Sequence, residues 1–123
     1  MITGSVNARR EAVVLLRING PGGQSLEYDA IIDTGFNGWL ALPTQVVSAL
    51  QLPRVGVVPA LFGDGNEAVL DTHEAVILWD GQEQSVEVDC IASDALLGTA
   101  RLAGFELRIS FTTQGTVEIS RLP

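Results

Sequence analysis

The chain has 123 residues, a formal net charge of −8, and apolar and charged shares of 46% and 18%. This length suits a single domain, which we predict to span residues 1–123, and the composition is typical of a globular rather than a disordered protein. Nucleic acid is excluded as a partner, because phosphate binding requires clustered Lys or Arg and the basic residues here are seven scattered Arg.

The residue pattern predicts an all-β protein with one or two short helices. Apolar runs bounded by Gly and Pro clusters indicate strands, and a proline-led run indicates a helix. The apolar triplet at 30–32 predicts burial on both faces of its strand. The alternation over 86–90 predicts one core face and one wet face, the latter carrying Glu87 and Asp89. In chain order we predict strands over 12–18, 26–32 and 39–42, a helix over 43–50, strands over 55–62, 67–71, 74–79 and 85–91, a short helix ending before residue 104, and strands over 105–111 and 116–120.

Two glycine-bearing turns divide the second half of the chain into hairpins. Gly63-Asp64-Gly65-Asn66 predicts a hairpin tip because both glycines can adopt positive φ, and Asp80-Gly81 predicts a second tight turn. A faint repeat lies in the same region of the pattern. Residues 26–31 and 86–91 share the order apolar, Glu, apolar, Asp, small, Ile, and each is followed shortly by a glycine. The repeat hints at a folded duplication.

The triplet Asp33-Thr34-Gly35 is the main candidate for chemistry. An ionisable residue at the end of a buried strand is costly unless it is used. The chemistry that fits is a carboxylate dyad, in which two aspartates too close to ionise together share one proton. Thr34 offers a hydroxyl that can lock one loop against another, and Gly35 permits a turn and close approach of a substrate. Because Asp-x-Gly also marks simple turns, the triplet alone leaves a structural role open.

The order of features around the triplet resembles the retropepsin-like aspartic proteases of clan AA, specifically the prokaryotic single-lobed type. The features are the run 30–35, a Gly-tipped hairpin further along, and Leu96-Leu97-Gly98 followed by a short helix; the stretch 32–38 is especially similar. The resemblance covers roughly residues 10–120. It implies the acid-protease fold, a closed β-barrel with a flap hairpin over the substrate.

The resemblance also implies roles for individual residues. Asp33 is implied as the catalytic aspartate, Thr34 as the residue that locks the subunits together, and Gly35 as the glycine whose carbonyl faces the substrate. Substrate-binding positions are implied beside this loop and at the flap tip, namely Phe36, Asn37, Gly63, Asp64, Gly65 and Asn66. The turn packed near the loop is implied at Leu96, Leu97 and Gly98. Since one triplet supplies half a dyad, the resemblance implies a homodimer with two-fold symmetry that acts on a peptide or protein.

The sequence departs from the retroviral pattern next to the triplet. Retroviral enzymes commonly carry Ala after Asp-Thr-Gly, then an acidic residue that pairs with an Arg just after the second glycine turn. Phe36, Asn37 and Thr99 stand at those places. Acid and Arg are missing together, so we expect the ion pair to be unused and Phe36 to narrow the adjoining subsite.

Two functional classes fit the residues. The first is an aspartic endopeptidase that is active as a homodimer, and the second is a catalytically inactive module that keeps the fold for dimerisation or peptide binding. The intact triplet favours the protease, since a protein that has lost its catalytic activity has no chemical reason to keep a buried acid.

The remaining residue types indicate what the site does not use. With one histidine and one cysteine we predict no metal site and no cofactor, and we expect His73 at the surface or a strand end. Trp39 and Trp79 are expected in the core or at an interface. Cys90 is the single cysteine, so no intrachain disulfide can form. The apolar runs of about five residues are shorter than the ~20 residues needed to span a bilayer. The N-terminus lacks the apolar core of a signal peptide. We therefore expect a soluble cytoplasmic protein with no membrane partner.

Overall fold

The computed structural model describes residues 1–61 and 65–123. Within these ranges the chain is mostly β with two short helices, as the sequence predicts, and neither helix is long and apolar enough to cross a membrane. In chain order the elements are β1 Ile2–Val6, β2 Ala12–Asn19, β3 Ser25–Ile32, β4 Leu40–Pro43, α1 Thr44–Ala49, β5 Arg54–Leu61, β6 Glu67–Trp79, β7 Gln82–Ile91, β8 Leu96–Leu97, α2 Thr99–Leu102, β9 Phe105–Ile109 and β10 Thr116–Arg121.

The strand boundaries differ from the prediction in three places. The sequence does not predict β1, because this short strand contains Gly4, whose Cβ would lie 2.0 Å from the carbonyl oxygen of Val13 on β2. β6 is one strand rather than two, because Thr72 and His73 continue the pleat where the pairing passes from β5 to β7. β9 ends before the predicted Phe111, whose ring is exposed.

The strands form a sheet in the order β5-β6-β7-β4-β8-β3-β2-β1-β10-β9. An additional antiparallel pairing joins β2 to β6 at Ile18↔Ile77 and Asn19↔Val76. This pairing brings β2, β3, β8, β4, β7 and β6 into a ring, while β5 and the group β1, β10 and β9 lie outside it. The strands therefore form a ring, which is a less specific description than the closed barrel that we predicted.

The hydrophobic core comes from the alternating positions of these strands. On β2 the buried residues recur at every second position from 12 to 18, while Leu15 and Arg17 between them are exposed. Trp79 is 1% exposed and meets Phe105 edge-on at 5.5 Å between ring centroids, which confirms its predicted core position. Trp39 is 38% exposed, so it is not a core residue.

Two predictions of burial are wrong in part. Ala30 is buried but Ile31 and Ile32 are only half-buried, so the apolar triplet is not covered on both faces. Asp89, predicted on a wet face, is half-buried instead. β7 pairs in parallel with β4, which places Asp89 opposite Ala41, and the Asp89 carboxylate lies beside the Asp33 loop, since a Cβ on Gly38 would lie 3.4 Å from its Oδ2.

The two copies of the sequence repeat lie at equivalent positions in the sheet. The first copy is on β3, which pairs in parallel with β8, and the second is on β7, which pairs in parallel with β4. β4 and β8 pair with each other antiparallel between these two strands. This symmetrical arrangement agrees with the folded duplication that the repeat suggests.

Candidate active site

The loop that carries Asp33 joins two strands that are not neighbours. β3 ends at Ile32 and β4 begins at Leu40, but the two-residue strand β8 lies between them. β8 pairs in parallel with β3 and antiparallel with β4. With neighbouring strands about 4.8 Å apart, the loop must therefore pass across a gap of roughly 10 Å above the end of β8.

Backbone hydrogen bonds fix Asp33 at the start of this loop. Its amide donates to the carbonyl of Leu97 on β8 at 3.0 Å, and its carbonyl accepts from the amide of Phe36 at 3.1 Å. The carboxylate oxygen Oδ1 accepts from the amide of Gly35 at 2.9 Å, while no described residue bonds to Oδ2. The side chain is half-buried. One carboxylate oxygen is thus held in place, and the other is left for an external partner.

The turn at Gly98 locks the other end of the loop. Its amide donates to the carbonyl of Trp39 at 3.1 Å, and the amide of Ala100 donates to the carbonyl of Gly38 at 3.1 Å. A Cβ on Gly98 would lie 2.1 Å from that Gly38 oxygen and 2.7 Å from Cδ2 of Phe36. Glycine is therefore required here by the close approach of two backbones. The structure places Leu97 and Gly98 within hydrogen-bonding distance of the Asp33 loop, with Leu96 beside them on β8.

Thr99 stands where the retroviral pattern has an Arg, and it forms hydrogen bonds to the Asp33 loop. Its amide donates to the carbonyl of Phe36 at 2.8 Å, and its hydroxyl Oγ1 donates to the same oxygen at 3.3 Å. Two hydrogen bonds from one residue thus join the start of α2 to the Asp33 loop. Where the retroviral pattern has an ion pair between charged side chains, this chain therefore has two hydrogen bonds between uncharged groups, from the amide and the hydroxyl of Thr99 to the carbonyl of Phe36.

Arg101 is a residue near the site that the sequence analysis did not identify. Its guanidinium carbon lies 5.2 Å from the ring centroid of Trp39, 5.0 Å from that of Trp79 and 5.9 Å from that of Phe105, and it donates to the side chain of Gln84. Burial, and then the charge of Arg121, lowers the pKa of Arg101. The stack connects α2 to Trp39 on the loop, and the sequence signal was a basic residue shortly after Gly98.

A cleft of about 710 Å³ opens beside Asp33. Its floor includes Phe36 and Asn37, two of the predicted substrate-binding residues. The β5–β6 hairpin contributes Val58, Pro59 and Leu70 to the lining of the cleft. Thr34, Gly65 and Asn66 are exposed and do not line this cleft. The predicted tip residues Gly63 and Asp64 lie outside the described residues.

β7 supplies two further carboxylates to the cleft, which the sequence analysis assigned only to a wet strand face. Glu87 and Asp89 both line it, together with the apolar side chain of Ile91. Burial, and secondarily the charge of Glu87, raises the pKa of Asp89 above its ordinary value. The cleft is therefore an acidic groove with apolar walls.

Residues with metal-binding side chains are dispersed in the part of the chain that the structure describes. No group of three His, Cys, Asp or Glu residues there could hold a metal ion. His73 lies within β6, half-buried, with Nδ1 unbonded by any described residue.

Comparisons with known proteins identify the fold. The chain is similar to the EIAV protease complexed with the inhibitor HBY-793, with a TM-score of 0.59 and 17% identity, over 78% of this chain and 88% of that chain. It is similar to a retropepsin-like aspartic protease from Rickettsia conorii, with a TM-score of 0.60 and 14% identity, over 99% and 91% of the two chains. No family model matches the sequence, and neither does any curated protein. The predicted resemblance is confirmed as a retropepsin-like fold.

Proposed function

We propose that the protein is an aspartic endopeptidase that acts as a homodimer, each subunit contributing the Asp33 carboxylate to a shared active site. The observation that carries the proposal is the position of Asp33. It stands at the edge of a 710 Å³ cleft, with Oδ1 held by the Gly35 amide, in a fold whose solved neighbours are aspartic proteases. The volume lies within the ~300–1,000 Å³ typical of ligand clefts.

The proposed reaction uses the two Asp33 carboxyl groups as one unit. The ionised member takes a proton from a water molecule while the water oxygen bonds to the carbonyl carbon of the scissile peptide. The protonated member gives its proton to the carbonyl oxygen. When the tetrahedral intermediate collapses, one carboxyl group gives its proton to the leaving nitrogen, the other takes a proton from a hydroxyl of the gem-diol, and the C–N bond breaks.

The loop geometry supports this role for Asp33. General acid–base catalysis requires a carboxyl group that keeps its orientation through proton transfer, and the Gly35 and Leu97 hydrogen bonds restrain both the side chain and the backbone of Asp33. Thr34 is exposed, and no described residue accepts or donates a hydrogen bond to its hydroxyl. It is therefore free for the proposed role of locking the loops of two subunits together.

The test is cleavage of a peptide library from pH 3 to 7 by the wild type and by Asp33→Asn. The substitution keeps the shape of the side chain but removes the ionisable oxygen, so we expect cleavage to fall by about 1,000-fold. Asp29→Asn is the matched control, because Asp29 lies on the same strand, is exposed and does not line the cleft. We expect this control to cleave at nearly the wild-type rate.

Two results would contradict the proposal. Equal cleavage by the wild type and Asp33→Asn would mean that Asp33 does not carry the chemistry. Binding of library peptides without cleavage at any pH in this range would instead indicate the non-catalytic module.

A further inference from the structure

Three aromatic rings surround the guanidinium of Arg101 on α2. They belong to Trp39, Trp79 and Phe105, with centroids 5.2, 5.0 and 5.9 Å from the guanidinium carbon. The same side chain donates a hydrogen bond to Gln84 on β7. A cation within about 6 Å of a ring centroid is attracted to the ring, and more strongly where water is excluded. Arg101 is half-buried, so solvent screens this attraction only in part.

Arg101 has no carboxylate partner among the described residues. The ion pairs within those residues involve the amino terminus, Arg54 and Arg121. Burial lowers the pKa of Arg101, and the charge of Arg121 lowers it further. Burying a charge without a counterion costs free energy of folding. An uncharged side chain of similar length would fill the same space without this cost, so packing alone does not explain the arginine.

The three rings differ in their surroundings. Trp79 is 1% exposed in the core and meets Phe105 edge-on at 5.5 Å between ring centroids. These two rings form a fixed base for the guanidinium. Trp39 is 38% exposed and lines the cleft beside Asp33, whereas Arg101 does not line it. Arg101 therefore joins a pair of packed rings to a ring at the wall of the cleft.

The side chain of Trp39 depends on this contact for its orientation. Among the described residues its indole nitrogen forms no hydrogen bond, and its ring meets no other aromatic ring. Its backbone is held separately, because its carbonyl accepts a hydrogen bond from the amide of Gly98 at 3.1 Å. An exposed side chain on a fixed backbone can still rotate about its side-chain torsions. The guanidinium of Arg101, which lies over the indole ring, restricts that rotation.

We propose that Arg101 is a positioning residue for the candidate active site, which holds the Trp39 indole in place as part of the cleft wall. A wall that is already ordered when a peptide arrives lowers the entropy cost of binding. Removing the guanidinium frees the indole and weakens peptide binding. The chemical step is unaffected, because Asp33 is held by separate hydrogen bonds with the Gly35 amide and the Leu97 carbonyl.

Three variants test this inference. Arg101→Met keeps the length of the side chain and removes the cation, while Arg101→Lys keeps the charge but lacks the planar group that stacks on rings. Arg121→Met is the matched control, because Arg121 is exposed and its guanidinium lies over Phe105, at 5.6 Å, rather than over Trp39. Circular dichroism checks that each variant is folded.

The order of the two indole groups gives the direct measurement, by ¹⁵N relaxation of their N–H groups. The chain has two tryptophans, and Trp39→Phe assigns the signals. In Arg101→Met we expect the order parameter of the Trp39 indole to fall from about 0.85, typical of a rigid group, to below about 0.6. We expect a smaller fall in Arg101→Lys and none in Arg121→Met. The Trp79 indole stays rigid in all three variants, since the core holds it.

Steady-state kinetics measure the consequence for the substrate and rest on the proposed function. With the library peptide that the wild type cleaves fastest, we expect Arg101→Met to raise KM about 10-fold and Arg101→Lys about 3-fold. A change in KM with kcat unchanged is the signature of lost binding rather than lost chemistry. Arg121→Met should leave both constants unchanged.

Peptide binding gives the same comparison without cleavage. Immobilised Asp33→Asn protein selects the library peptide that it retains most strongly, and fluorescence anisotropy measures the dissociation constant of that peptide. We expect Arg101→Met, added to Asp33→Asn, to raise this constant about 10-fold.

The outcomes separate this inference from the proposed function. A Trp39 indole that is as ordered in Arg101→Met as in the wild type overturns the inference, whatever the peptides do. A lower kcat with an unchanged KM, or the same loss of Trp39 order in Arg121→Met, overturns it as well. A Trp39 indole that becomes mobile in Arg101→Met, in a protein that binds peptides but cleaves none, supports the inference and overturns the proposed function alone.

Discussion

Replacing Gly98 with alanine tests whether the turn after β8 sets the shape of the Asp33 loop. The new Cβ would lie 2.1 Å from the Gly38 carbonyl oxygen, where ordinary contact begins at 3.4 Å, so the backbones must separate by about 1.3 Å. That movement breaks the hydrogen bond from Ala100 to Gly38, now 3.1 Å, and strains the one from Thr99 to Phe36.

The loss of folding stability caused by Gly98→Ala can be worked out from these contacts. Two backbone hydrogen bonds contribute about 1 kcal/mol each, and overpacking typically adds about 1–3 kcal/mol. We therefore expect Gly98→Ala to lower the free energy of unfolding by about 3–5 kcal/mol, a large share of the ~5–15 kcal/mol available to a domain. The assay is urea unfolding at one fixed protein concentration, because dimerisation would make the result depend on concentration.

Gly56→Ala is the matched control for this prediction. Its Cβ would meet the Thr72 hydroxyl at 3.5 Å, which is ordinary van der Waals contact. We expect a change of less than about 1 kcal/mol for this variant. If Gly98→Ala unfolds with the same free energy as Gly56→Ala, the reasoning about the two close backbones is refuted.

Two further predictions concern stability. Burial raises the pKa of Asp89, so the folded state resists its ionisation: above that raised pKa the charge destabilises the fold, and below the ordinary value of 3.8 it has no effect. We expect Asp89→Asn to raise the thermal midpoint at pH 7 and to match the wild type below pH 3.8; a lower midpoint at pH 7 would contradict this. Ile77 is fully buried whereas its neighbour Leu78 is 42% exposed, so we expect Ile77→Ala to cost about 2–5 kcal/mol in urea unfolding and Leu78→Ala less than about 1. Equal losses in the two variants would show that the core is misplaced.

The local sequence was sufficient to predict the position of the candidate catalytic residue. An apolar strand that runs directly into Asp33 and a glycine two residues later is a pattern confined to a few neighbouring positions. The same holds for Gly98, since Leu96-Leu97-Gly98 followed by a short helix is also local. Short-range patterns of this kind predict strands and turns well because alternation and glycine conformation depend on few residues.

The contacts that join distant parts of the chain could not be predicted in this way. The stack of Arg101 on Trp39 and Trp79 joins α2, the Asp33 loop and β6, and no pattern in any one segment indicates it. The partial burial of Asp89 was missed for a related reason. Its own strand alternates as a strand with one exposed face should, but the Asp33 loop lies beside it at Gly38, and that contact depends on the fold of the whole sheet.

The insertion of β8 between β3 and β4 also has a consequence for when the Asp33 loop takes its shape during folding. The amides of Ile31 and Asp33 donate to Ala95 and Leu97, acceptors more than sixty residues further along the chain. A nascent chain that has not yet emerged past these acceptors cannot form the hydrogen bonds that hold the loop. Bringing together residues so far apart in the sequence is slow, because the entropy cost of closing the segment precedes the gain from the contacts. The Asp33 segment is thus synthesised well before the acceptors that give its loop its geometry.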